Sequence, residues 1–251
     1  MKDVESLMVF AGTHARAVCF NPGAERLLVT FDNWRKDHVA FPEAAPSRGV
    51  MQAGFGQLCV HSTRNDWYLS PDLATLRTAL SQFCAGYAEV RGIGFSMGGY
   101  GALLLSKALR LDKVVLVSPQ VSIFPQRYPH DDRYAAEAAV LDPAQDQLAQ
   151  DIVAGLQGVI LFDPIRQRKD AAHARAIAAL APGLQVVAMP LSGHPAMGAI
   201  REARLYGRVL QAAMTGRLSV AEFRAIHRAA RAASPRYQAL LDAYLNRRGL
   251  R

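Results

Sequence analysis

The chain has 251 residues, of which 51% are hydrophobic and 20% charged; it is too apolar for a disordered segment and long enough to bury one large core. No stretch reaches the roughly 18 unbroken apolar residues that a membrane span needs. The net charge of +8 sits in the last fifth: residues 1–200 carry 18 basic and 18 acidic side chains, whereas residues 201–251 carry 11 arginines, no lysine and 3 acids, which speaks against a nucleic-acid binder that is basic throughout.

In chain order, the first residues, Met1-Lys2-Asp3-Val4-Glu5-Ser6, place acids where a signal peptide would be basic and lead into no long apolar run, so a soluble cytoplasmic protein is expected. Leu7–Ala11 and Ala15–Phe20 read as an opening pair of strands around the turn Gly12-Thr13-His14, and Arg26–Phe31 and Leu58–His61 as further strands. Ser70-Pro71-Asp72 opens a helix to about Cys84, with proline in its first turn. Val90–Phe95 is a strand, Met97–Leu109 a helix and Lys113–Val117 a strand. Residues 120–157 form a small, irregular, helix-prone insert. Gly158–Phe162 is a strand, Ala171–Leu180 a helix, Leu184–Met189 a strand, and Pro195 to about Met214 a helix. Strands alternating with helices of this length predict an α/β architecture in three layers, with a mainly parallel sheet and an antiparallel N-terminal edge. The main domain is expected over residues 1–216. Residues 217–251 read as a C-terminal helical hairpin: Ser219-x-x-Glu222 is a capping box, Val220, Phe223, Ile226 and Ala230 share a face, and Ser234-Pro235 starts the second helix. The cysteines Cys19, Cys59 and Cys84 lack metal spacing and read as reduced, buried and small.

The most informative run is Arg91-Gly-Ile-Gly-Phe-Ser-Met-Gly-Gly-Tyr-Gly-Ala102. It contains Gly94-Phe95-Ser96-Met97-Gly98 between an apolar strand and a helix. A sharp turn there projects the Ser96 hydroxyl above the sheet, and glycines are needed at 94 and 98 because a side chain would strike the adjoining strand and helix. The helix that starts at Met97 aims its first N–H groups at the same point.

A nucleophilic serine needs a base, and the base needs an acid to orient it. Of seven histidines, His194 follows a strand in Pro190-Leu-Ser-Gly-His-Pro195 and falls on the same rim as Ser96. His61 also ends a strand; His14, His38, His130, His173 and His227 read as surface or packing residues. For the acid, Asp163 ends the preceding strand and is preferred; Asp170 lies just before the helix Ala171–Leu180, where an N-cap role explains it. The second oxyanion donor is expected just after Arg26–Phe31, from the N–H of Asp32 or Asn33, with Asp32 taken together with Met97. Trp34, Trp67 and Tyr68 either wall the site or belong to the core, and Tyr100 packs beneath the turn.

On Gly94-Phe-Ser-Met-Gly98, the strand-end Asp163 and the Gly193-His194 loop, residues 6–214 resemble the α/β-hydrolases. The resemblance implies the chain order Ser96, Asp163, His194 for a catalytic triad, acyl-transfer chemistry, and no metal or cofactor. The sequence departs from that pattern in its oxyanion segment, which lacks the His-Gly of lipase-like relatives, and in its arginine-rich end. The expected function is a serine hydrolase that cleaves a small-molecule or polymer-linked carboxylic ester or thioester. An acyltransferase of the same fold differs only in its acceptor. A non-catalytic binding module would use the basic hairpin to dock an acidic partner.

Overall fold

The structure, a computed structural model, describes residues 4–250. Eight strands, β1 (Ser6–Ala11), β2 (Ala15–Phe20), β3 (Arg26–Phe31), β4 (Gly56–Ser62), β5 (Glu89–Phe95), β6 (Lys113–Val117), β7 (Gln157–Phe162) and β8 (Leu184–Ala188), form one sheet in the order β1-β2-β4-β3-β5-β6-β7-β8. β1 pairs antiparallel with β2, and β2 with β4; every later pair is parallel. The antiparallel edge is thus one strand pair wider than the opening hairpin alone. The expected three-layer α/β fold is present, with helices on both sides of a mainly parallel sheet.

The unbroken apolar runs have a direct cause. In β6, Val114 and Leu116 join the core on one face while Val115 and Val117 join the core on the other; in β7, Ile160 and Phe162 oppose Val159 and Leu161 in the same way. A parallel strand covered on both faces has no side left for polar residues. The first face is covered by α2 (Leu73–Cys84), α3 (Met97–Leu104), α4 (Ser106–Leu109) and α7 (Arg168–Leu180), with α5 (Ala135–Ala138) and α6 (Leu148–Asp151) supplied by the insert. The second is covered by α1 (Arg48–Gln52), α8 (Gly198–Glu202), α9 (Tyr206–Thr215), α10 (Val220–Ala233) and α11 (Pro235–Arg247).

Several boundaries differ from the sequence reading. The helix expected over 97–109 is broken at Leu105 into α3 and α4. The helix expected from Pro195 begins at Gly198 and stops at Glu202, because Arg204 turns left-handed (φ 57°) and the Leu205 N–H closes back on the Ile200 carbonyl. α7 begins at Arg168, so Asp170 lies inside the first turn rather than capping it.

α10 rests on β8 and α8, and α11 on α8. Ser219 Oγ accepts the Glu222 N–H at 3.2 Å and Ser234 Oγ the Tyr237 N–H at 3.0 Å, which fixes both helix starts. Phe223, Ile226, Ala230 and Tyr237 are buried in the second-face core. Burial of Phe223 and Ile226 contributes about 1.5–3 kcal/mol each. All three cysteines are free and buried, and burial pushes the Cys84 thiol up to about 12. Among the described residues no helix is long and apolar enough to cross a membrane.

Candidate active site

Parallel strands end on one rim, and three of them lead to the candidate residues. Ser96 follows β5, Asp163 and Asp170 follow β7, and His194 follows β8. Ser96 has φ 48° and ψ −118°, a strained conformation for a residue with a side chain. The glycines explain why the chain can hold it. A Cβ on Gly94 would run into the Gly98 carbonyl, and a Cβ on Gly98 would lie 2.5 Å from the Asp32 carbonyl oxygen. The strained turn is anchored by the Ser96 N–H, which donates to Val117 O at 2.8 Å.

Ser96 Oγ lies 2.8 Å from His194 Nε2, and His194 Nδ1 lies 2.7 Å from Asp170 Oδ2. A carboxylate at Nδ1 keeps the proton there and leaves the Nε2 lone pair facing the hydroxyl. Asp170 is fully buried and also accepts from Arg133 Nη2 at 2.8 Å. Burial works to raise its carboxyl, but the hydrogen bonds and charges of His194 and Arg133 outweigh burial and hold it below the usual carboxylate range.

Asp163, preferred from sequence as the acid, does not meet His194. Its Oδ1 accepts the N–H groups of Ile165, Arg166 and Leu191 at 2.9, 3.1 and 3.1 Å, and its Oδ2 that of Gly193 at 2.8 Å. Four backbone donors occupy its lone pairs, so this buried carboxylate stitches the loop after β7 to the loop carrying His194. Asp170 takes the imidazole instead because α7 starts early enough to turn its side chain inward.

The Asp32 N–H is not available to an oxyanion either. It donates to Val60 O at 3.2 Å, extending the β3–β4 ladder one residue beyond Phe31. The Asp32 carboxylate accepts the Ser62 N–H at 3.0 Å. Burial raises its pKa to about 6, against the opposing effects of that hydrogen bond, Arg35 and His38. The next N–H along the chain is that of Asn33, which lines a cavity with Phe95. Met97 opens α3, and at that first position its own N–H has no carbonyl partner within the helix.

Sequence reasoning missed three neighbours. Tyr134 Oη is 3.3 Å from His194 Nε2; burial raises its hydroxyl, which therefore stays protonated. Gln120, fully buried, reaches Ser96 Oγ with Nε2 at 3.5 Å while donating to Ser118 O at 3.0 Å. Arg133 bridges Asp170 and Asp131, and Asp131 Oδ2 accepts from His173 Nε2 at 2.9 Å. The Val121 N–H donates to His173 Nδ1, so the His173 proton sits on Nε2. All but His173 come from the insert, whose irregular sequence carries no periodic signal.

The aromatic residues divide. Trp67 and Tyr68 are core residues, but the Trp67 Nε1–H donates to Gln120 Oε1 at 3.1 Å and its ring lies 4.7 Å from that of Tyr134. Trp34 is exposed and donates to Glu137 of α5 at 2.7 Å. Tyr100 is buried and donates to Asp146. His61 and His227 are buried, each lowered to about 4 chiefly by burial. Among the described residues no cluster of three or more His, Cys, Asp or Glu could hold a metal ion.

No family model matches the chain, and no curated protein matches it in sequence. Its fold is similar to solved structures at low identity. The capsule O-acetyltransferase of Neisseria meningitidis serogroup A, in complex with caged gadolinium, matches with TM-score 0.56 and 13% identity, over 84% of this chain and 95% of that one. MGS-M1, an α/β-hydrolase enzyme from a Medee basin deep-sea metagenome library, matches with TM-score 0.52 and 12% identity, over 91% and 98%. A putative thioesterase from Silicibacter sp. TM1040 matches with TM-score 0.50 and 14% identity, over 78% and 79%.

Proposed function

On the α/β-hydrolase fold that this chain has, we propose a serine hydrolase that cleaves a carboxylic ester or thioester through an acyl-enzyme on Ser96. The observation that carries this reading is the continuous contact from Ser96 Oγ to His194 Nε2 (2.8 Å) and from His194 Nδ1 to Asp170 (2.7 Å), built on a strained serine. Ser96 Oγ attacks the acyl carbon while His194 Nε2 takes its proton. Asp170 fixes the imidazole tautomer and stabilises the imidazolium. The N–H groups of Met97 and Asn33 hold the oxyanion. His194 then passes the proton to the leaving alcohol or thiol, and water, deprotonated by His194, releases the acid.

Purified protein with short-chain p-nitrophenyl esters tests this directly. Wild type is expected to turn them over, and Ser96→Ala to lose roughly 10³-fold or more. No turnover by wild type, or equal turnover by the variant, overturns the reading. The likeness to an O-acetyltransferase supports a second reading in which an alcohol replaces water as acceptor. Product analysis with added alcohols separates the two: an acyltransferase gives mostly the new ester, a hydrolase mostly the free acid.

A further inference from the structure

Three arginines, two of them from the C-terminal fifth, line a space that reaches His194. A cavity of about 400 Å³ is lined by His194 and Gly193 together with Arg166, Arg201, Arg236 and Glu202. Its three cations come from three separate elements: the loop after β7, α8 and the first turn of α11. A solvated helix face would place its charges along one helix; here they meet from different parts of the chain around one space. Glu202 also lines it, and its carboxylate accepts the Ser234 hydroxyl and, at 3.4 Å, the Arg236 N–H at the start of α11. Arg166 also lines an adjoining cavity of about 510 Å³ with Arg168, Arg247 and Arg248.

The proposed chemistry decides which part of a substrate lies there. His194 Nε2 returns the proton to the leaving group, so the leaving group departs beside the imidazole. A different cavity, of about 440 Å³, is lined by Phe31, Asn33, Ile93, Phe95, Arg201 and Tyr206. Arg201 lines both this cavity and the one at His194, and its guanidinium lies 5.6 Å from the Phe95 ring, next to Ser96 in the chain. The two spaces therefore share Arg201, and the one that reaches His194 gathers three cations.

We infer that the leaving alcohol or thiol carries a phosphate ester, its phosphates held by Arg166, Arg201 and Arg236. This rests on the serine acyl-transfer reading. Guanidinium groups suit phosphate oxygens because they present paired N–H donors in a plane. In the step itself the Ser96 Oγ–carbon bond forms and the carbon–sulfur or carbon–oxygen bond breaks. The serine proton passes through His194 to the departing sulfur or oxygen, and the phosphates take no covalent part.

Two thioesters with the same acetyl group test it: acetyl-coenzyme A, whose thiol carries phosphates, and S-acetyl-N-acetylcysteamine, whose thiol carries none. Wild type is expected to prefer the first by at least tenfold in kcat/KM. The preference should shrink as salt is raised and fall at least tenfold in the double variant Arg166→Gln/Arg236→Gln, with partial rescue by lysine at both positions. Both side chains are exposed, so folding is not at risk. A wild-type preference near one, or a preference unchanged in the double variant, overturns the inference. Calorimetry of coenzyme A with Ser96→Ala separates this from failure of the catalytic reading. Binding weakened by the arginine changes, without turnover of either thioester by wild type, supports the cationic site and counts against the serine mechanism. Turnover of neutral esters without such binding does the reverse.

Discussion

The turn around Ser96 and the carboxylate at His194 are built on different length scales. Residues 94–98 reach their geometry through steric contacts among near neighbours: glycine at 94 and 98 lets β5, α3 and the Asp32 backbone approach, and Ser96 is left projecting. The acid side is assembled from afar. Asp170 meets His194 across 24 residues and Arg133 across 37, and Asp131 meets His173 across 42. A local turn follows from sterics that a short motif can state. The choice between two carboxylates follows from which distant donors reach each one first.

The largest effect expected from this contrast comes from exchanging the two acids for amides. Asp170→Asn should lower kcat/KM by roughly 10³–10⁴-fold, because the amide no longer holds the productive tautomer, far more than the stability lost with the Arg133 ion pair would account for. Asp163→Asn should do the opposite. Its amide nitrogen meets backbone N–H groups where a carboxylate accepted four, costing about 2–4 kcal/mol, while kcat stays within roughly tenfold. Ester kinetics and urea denaturation on both variants would break the comparison if the two effects traded places. At the turn, Gly98→Ala should cost about 2–4 kcal/mol and most activity, since its Cβ meets backbone rather than a movable side chain. A fully active, equally stable variant would remove the steric account.

Smaller effects sharpen the contrast. Arg133→Met should lower kcat roughly tenfold by leaving Asp170 with one partner fewer, and Arg133→Lys should recover part of it; equal losses in both variants would reduce Arg133 to a packing role. The smallest effect concerns Asp32. Its folded pKa of about 6 lies above the unfolded value of about 3.9. The folded state thus binds the proton more tightly, and stability falls as pH rises from about 4 through about 6. Asp32→Asn should abolish that fall and leave the variant about 1–2 kcal/mol more stable than wild type at pH 7; urea melts at pH 4 and 7 measure it.

Much of the fold was legible because parallel strands buried on both faces leave unbroken apolar runs: Arg26–Phe31 and Lys113–Val117 have the bounds read from sequence. The turn around Ser96 and the position of His194 after β8 were legible for a related reason, since both are punctuated by glycine. Less visible were the breaks at Leu105 and Arg204, which depend on packing rather than on a helix-breaking residue. The role of Asp170 was obscured by a boundary: a helix beginning at Ala171 makes it a cap, and one beginning at Arg168 turns it inward. Tyr134, Gln120 and Arg133 carry no local mark, because only the folded insert brings them to the rim.

The most direct test of the account is the rate at which a fluorophosphonate adds to Ser96, read as intact mass with the modified peptide identified. The account predicts one adduct on Ser96 in wild type, none in Ser96→Ala, near-wild-type rates in folded Asp163→Asn and rates at least a hundredfold slower in Asp170→Asn. Rapid labelling of Asp170→Asn together with inert, folded Asp163→Asn would contradict it.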